Sequence, residues 1–214
     1  MRFIVKICGI TRPQDALLAA EAGADMIGLN FWMGSKRFVT DEQARNIVAV
    51  LPVGVLKVGV FVNPHPLVVS ETVDELKLDR VQLHGDEQKE AWKWLKQEKL
   101  IRTIRVRDEA TLKDAHGWEA GLYLYDAYSE QYGGSGQRAP WQLLPQRARR
   151  PYLLAGGLDP DNVTEAIAIA RPDGVDVASG VESSPGIKDP RKLRAFIKRA
   201  RMAARKVGLS QTPS

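Results

Sequence analysis

Short apolar, β-branched runs alternate with segments of helical spacing along almost the whole chain. Residues 3–8, FIVKIC, read as a strand, and residues 13–22 then follow helical periodicity, with Thr11 as N-cap and Gly23 just past the end. A second strand is predicted at 25–31 with a helix at about 41–51, and a third at 55–62 with a helix around 67–76. A short fourth strand at 80–83 precedes a helix at 87–97, and residues 101–106 and 110–115 make the fifth unit. The sixth strand, 121–125, leads into a long glycine-rich loop from 127 to 139 and a short helix near 141–147. Strand 152–155 with helix 162–170, and strand 174–178 with a helix at about 191–206, complete eight units.

No pair of strands carries a hairpin signal. Near-continuous apolar strands joined by helices imply a parallel sheet covered by helices. Eight units favour closure, because an open doubly wound sheet usually has five or six. The expected fold is therefore α/β, a single-domain (β/α)8 TIM barrel over residues 1–206 with a short tail at 207–214. At 214 residues the chain is at the short end for such a barrel, so its loops must be lean.

Composition adds little to this except in its charge. The content, 44% hydrophobic and 27% charged, is that of a soluble globular protein, and the net charge is +5. That excess suits either nucleic acid or a small anionic substrate. The densest basic stretches, residues 146–150 and 192–206, have no aromatics interleaved for base stacking. The second reads as the polar face of a helix whose other face carries Leu193, Phe196, Ile197 and Ala200. Nucleic acid is therefore not an expected partner, and no apolar run approaches the roughly 18 residues of a membrane span. The opening MRFIVKICGIT lacks a signal-peptide layout, so a cytoplasmic, reducing location is expected. A single cysteine allows no internal disulfide, and the three histidines lack metal-ligand spacing.

In a barrel of this kind reactive groups lie at the C-terminal ends of strands and in the loops that follow. The candidates there are Cys8-Gly9, Arg37, His84 with Gly85-Asp86-Glu87, Asp126, Gly156-Gly157 and Ser179-Gly180. LAGGL at 154–158 and ASGVESSPG at 178–186 follow strands seven and eight, where backbone amides form the usual phosphate cradle of such barrels; otherwise both are tight turns. A lone cysteine is most often a small buried apolar residue. Cys8, however, shares a strand face with Ile4 and Lys6. If that face points inward, Lys6 lies beneath the thiol and either favours thiolate or pairs with Asp176 on strand eight. Asp126 follows an apolar strand, where desolvation would help it hold a proton. One base and one acid on different strands suit proton transfer. His84 either contacts the site or caps the next helix.

KICGIT (6–11), QLHGDE (82–87), YDAYSEQYGGSG (125–136), LAGGL and VDVASGVESSPGIKD (175–189) together resemble the recurring segments of phosphoribosylanthranilate isomerases, in order, over about residues 5–196. The resemblance implies the third step of tryptophan synthesis, an Amadori rearrangement of a phosphoribosyl substrate without any cofactor, by a monomer or homodimer. It implies Asp126 as general acid opening the ribose ring and Cys8 as general base removing the C2 proton. It further implies Arg37 on the anthranilate carboxylate, and the phosphate on amides near Gly156, Gly157, Ser179 and Gly180. A glycine-rich loop at 131–137 is expected to close over substrate.

Two departures are visible. The family's Ser-Pro-Arg is Ser35-Lys36-Arg37 here, and its Phe-Asp-Trp is Ala139-Pro140-Trp141, so loop geometry is altered while Cys8 and Asp126 are untouched. A phosphoribosyl-formimino isomerase of a histidine pathway would carry Asp in place of Cys8 and twofold internal similarity, and the sequence has neither. A barrel that only binds anions or RNA would not need the Cys8/Asp126 pair.

Overall fold

A computed structural model describes residues 2–114, 117–127, 141–144 and 151–209. Eight strands run β1 (Ile4–Ile7), β2 (Met26–Asn30), β3 (Leu56–Phe61), β4 (Arg80–Leu83), β5 (Leu100–Val106), β6 (Leu122–Ala127), β7 (Tyr152–Leu154) and β8 (Gly174–Val177). Each pairs in parallel with the next, and β8 pairs in parallel with β1 to close the barrel. The (β/α)8 expectation is met.

Strand alternation sorts side chains between two apolar layers. Val5 and Ile7 point outward into the layer between sheet and helices, where Phe196, Ile197 and Leu193 also pack. Ile4 and Cys8 pack against the interior cluster of Met26, Val58, Val60, Ile101, Leu122, Leu124 and Leu153. This is the period-two rule acting on a strand buried on both faces.

The helices are α1 (Pro13–Glu21), α2 (Asp41–Ala49), α3 (Pro66–Leu76), α4 (Glu109–Asp114), α5 (Val163–Ala170) and α6 (Pro190–Lys206). Thr40 and Gln43 form a capping box at α2, and Asp189 caps α6 through the amides of Arg191 and Lys192. The basic run of α6 is a helix whose core face carries Leu193, Phe196, Ile197 and Ala200, all buried.

Three local expectations are corrected. Thr11 is not the N-cap of α1: Arg12 holds that position because Pro13 occupies the first helical turn, and the Thr11 hydroxyl donates instead to the Gly186 carbonyl at 2.5 Å. Residues 87–97 do not form an α-helix; they make 3-10 turns at Lys89–Trp92 and Gln97–Lys99. Glu87 is drawn inward to accept the amides of Asn63 and Gly85, so it cannot start a helix, and Trp92 and Leu95 reach the core at a three-residue spacing that suits a 3-10 turn. After β8 the chain makes a hairpin that periodicity did not reveal, β9 (Glu182–Ser184) and β10 (Ile187–Lys188), turning at Gly186 with φ +81°. Val207 and Leu209, from the expected tail, pack against the core. The expected lid at 131–137 and most of the helix predicted near 141–147 lie outside the described residues.

Candidate active site

The C-terminal ends of the strands enclose a cavity of about 550 Å³, and Cys8, Arg37, Gln82, His84, Asp126 and Asp176 are among its lining. Five of the sequence candidates, Cys8, Gly9, Arg37, His84 and Asp126, thus meet in one space although they come from four different units.

Cys8 follows β1 and keeps some exposure to the cavity. Lys6 sits on the same face, fully buried, with its Nζ 2.8 Å from Asp176 Oδ1. The two readings of Lys6 therefore merge: it pairs with Asp176 and also lies against the thiol. Burial opposes the charge on Lys6, but Asp176 and the thiol outweigh it and raise its pKa. The effect on Cys8 reverses the expectation of a favoured thiolate. Burial pushes the thiol up, Lys6 pulls it down, Asp176 pushes it up again and Lys188 pulls it down; the balance lies above the ordinary thiol value. The balance therefore favours the protonated thiol near neutral pH.

A raised pKa means that thiolate becomes available only as pH rises. Alkylation of Cys8 by iodoacetamide is expected to accelerate with pH and still be climbing at about pH 9. A plateau below about pH 8 contradicts the burial-dominated balance. Asp176→Asn removes one of the groups that raise the thiol, and is expected to move the alkylation midpoint downward.

Asp126 lies within β6 rather than after it, because the strand runs on to Ala127. Its Oδ1 accepts the Ala127 amide at 2.8 Å, and Oδ2 is 3.4 Å from His84 Nε2. His84 does not cap a helix, since none begins there; it faces the site. The Gln82 Nε2 donates to His84 Nδ1 at 2.9 Å and to Thr103 Oγ1 at 3.2 Å. The sequence singled out His84 but not Gln82 or Thr103, whose inward direction follows from register alone.

Arg37 reaches the cavity over Gly9, whose φ of +67° only glycine adopts readily and where a Cβ would stand 2.6 Å from Arg37 Cδ. Its guanidinium is already engaged: Nε donates to Glu182 Oε1 at 2.9 Å and Nη2 to Oε2 at 2.7 Å. Among the described residues Nη1 has no hydrogen-bond partner, and it remains for a ligand.

Gly156 and Gly157 both hold positive φ, +85° and +62°. A Cβ on Gly156 would stand 2.9 Å from Asp126 Oδ1, so this glycine lets the end of β7 pass directly over the carboxylate. A Cβ on Gly180 would stand 1.9 Å from the Leu158 carbonyl oxygen, so the loops after β7 and β8 touch through backbone there. Among the described residues no protein acceptor serves the amides of Gly156, Gly157, Ser179 or Gly180. Ser179 and Gly180 line a second cavity of about 520 Å³ with Arg191, Lys192 and Arg199, apart from the one holding Cys8.

A family model described as N-(5'-phosphoribosyl)anthranilate (PRA) isomerase matches residues 5–199. The N-(5'-phosphoribosyl)anthranilate isomerase of Geotalea uraniireducens is 47% identical over 199 residues, covering 92% of this chain and 98% of that one. That of Geobacter sulfurreducens is 46% identical over the same shares. The crystal structure of phosphoribosyl anthranilate isomerase from Thermotoga maritima superposes with a TM-score of 0.87 at 42% identity, over 94% of this chain and all of that one. Another such isomerase, in complex with reduced 1-(o-carboxyphenylamino)-1-deoxyribulose 5-phosphate, is 38% identical with a TM-score of 0.82, over 94% of this chain and all of that one. A matched model spanning almost the whole chain, and relatives this close over their full length, leave one conclusion: the chain belongs to the N-(5'-phosphoribosyl)anthranilate isomerase family.

Proposed function

We propose that this protein catalyses the Amadori rearrangement of N-(5'-phosphoribosyl)anthranilate to 1-(2-carboxyphenylamino)-1-deoxyribulose 5-phosphate in tryptophan biosynthesis. The observation that carries the reading is the meeting of Cys8, Asp126 and Arg37 in one cavity at the mouth of the barrel. Asp126 protonates the ribose ring oxygen and opens the ring to an iminium. Cys8 as thiolate then takes the C2 proton, giving an enolamine that tautomerises to the ketone. The raised thiol pKa makes thiolate scarce at neutral pH but strongly basic once formed, and the cationic iminium acidifies the proton it must remove. No step calls for a metal or an organic cofactor.

Arg37 takes the anthranilate carboxylate through Nη1, and the phosphate rests on the amides of Gly156, Gly157, Ser179 and Gly180. Donors without protein acceptors are what such an anion needs. The bound ligand of the relative's complex bears an aryl carboxylate at one end and a phosphate at the other, which suits this division. The partner is a small anionic molecule, not nucleic acid, since the basic residues of α6 form a solvated face. Among the described residues no helix is long and apolar enough to cross a membrane, and a cytoplasmic location suits the single free thiol.

The test is a fluorescence assay following the loss of freshly made phosphoribosylanthranilate. Catalytic amounts of the protein are expected to remove it far faster than its spontaneous decay; decay at the spontaneous rate refutes the activity. In the same assay Arg37→Ala is expected to raise KM about 10- to 100-fold with a smaller change in kcat, the worth of one charge-assisted hydrogen bond. An unchanged KM removes Arg37 from the carboxylate site.

A further inference from the structure

Behind the wall of the cavity lies a charged cluster that the proton-transfer chemistry does not use. Glu182 and Lys188 stand opposite each other across the β9–β10 hairpin, with 5% and 0% of their side chains exposed. Buried charges persist only with partners, and these have several. Glu182 accepts both forks of Arg37 and, at 2.9 Å, the Lys188 ammonium. Lys188 Nζ donates further to the carbonyls of Cys8 at 2.7 Å and Ala178 at 3.1 Å. Its backbone N–H donates to Asp15, which Arg12 clasps from the start of α1. The hairpin is thereby fastened to the loops after β1 and β8 and to the base of α1.

We propose that Glu182 is a positioning residue that sets the guanidinium of Arg37 for recognition of the substrate's aryl carboxylate, and so determines specificity for carboxylated substrates. The inference rests on the assignment of Arg37 to that carboxylate. An arginine on a free four-bond stem has many rotamers, and ordering them costs binding energy. Here the stem lies on Gly9 and the Nε and Nη2 edge is held by Glu182, so the guanidinium plane is fixed before substrate arrives. Only the Nη1 side remains, which restricts an incoming carboxylate to one direction. Glu182 is ionised in this setting: burial pushes its pKa up, but Arg37 and Lys188 together hold it below the ordinary carboxylate value.

The experiment compares N-(5'-phosphoribosyl)anthranilate with N-(5'-phosphoribosyl)aniline, which lacks the carboxylate, in the full-length protein. The parent is expected to favour the carboxylated substrate in kcat/KM. Glu182→Gln is expected to cut that preference at least about ten-fold, mainly through KM for the anthranilate substrate, one charge-assisted contact being worth about that much. Equal losses with both substrates would mean that Glu182 only supports the fold, and the proposal falls. If Glu182→Gln does not fold by circular dichroism, Glu182→Asp, which keeps the charge but shortens its reach, is expected to show a smaller loss of preference; the parent's preference retained there overturns the proposal. Arg37→Ala separates the two levels. If it keeps the parent's preference, the assignment of Arg37 itself is wrong. If it abolishes the preference while the Glu182 variants keep it, only the positioning role is wrong.

Discussion

Asp126→Asn is expected to lower kcat by about 10²- to 10⁴-fold, the usual contribution of a positioned general acid, while substrate still binds. Asparagine has the shape of aspartate and no proton of comparable acidity to give. Shape matters here because Gly156 passes so close to Oδ1 that a larger side chain at 126 would displace the end of β7. The asparagine Oδ1 continues to accept the Ala127 amide, which places its Nδ2 toward His84. Because the shape is kept, Tm is expected to stay close to the parent's beside the far larger kinetic effect. The measurement is steady-state turnover together with binding of the product by fluorescence. Turnover within a few-fold of the parent, with Tm intact, would take the acid role away from Asp126.

Cys8→Ala is expected to produce a loss of similar size by a different route. The change removes the proposed base but leaves Asp126, the proposed acid, the Lys6–Asp176 pair and Arg37 in place. Because the thiol is small and partly open to the cavity, the fold is expected to lose no more than about 1 kcal/mol. Ring opening remains available, so removal of the C2 proton becomes the slow step. A substrate deuterated at C2 is then expected to show a clear primary isotope effect in Cys8→Ala, and a smaller one in Asp126→Asn, where ring opening limits. The same small effect in both variants would contradict the division into acid and base. The parent's kcat/KM is expected to rise with pH as the thiol ionises. The sign follows from the raised pKa: below it Cys8 holds its proton, and the active form gains about ten-fold per pH unit until it is passed. Loss of that dependence in Cys8→Ala is the accompanying check.

The elements that local spacing governs were legible from the residues. Eight apolar runs, each followed by a helical pattern or a loop, led to a closed parallel barrel. The alternation of Ile4, Lys6 and Cys8 placed the thiol on the inner face above the lysine, where it lies. The helix expected at 87–97 failed because Glu87 is claimed by Gly85, Asn63 and Arg102, and that last partner lies 15 residues on. The β9–β10 hairpin was missed because ESSPGIK is too short and polar to show a period of two.

At the site, the residue types were legible but their partners were not. Arg37 stood out, yet Glu182, which holds it, is 145 residues away. Lys6 beneath Cys8 was visible, but whether it lowers or raises the thiol depends on burial and on Asp176, 170 residues from the lysine. From sequence alone His84 could cap a helix or face the site; it faces the cavity, because no α-helix begins directly after β4.

Hydrophobic period and turn chemistry are local properties of the chain, so the residues alone carry the architecture, the cysteine and aspartate at strand ends, and the glycines after β7 and β8. That Lys6 is paired, that burial tilts Cys8 toward the thiol, and that Arg37 reaches the cavity with its Nε–Nη2 edge already taken follow only from the folded arrangement. Those are sums of burial and charge over groups brought together by the closure of β8 on β1, and no local pattern records which residues that closure makes neighbours.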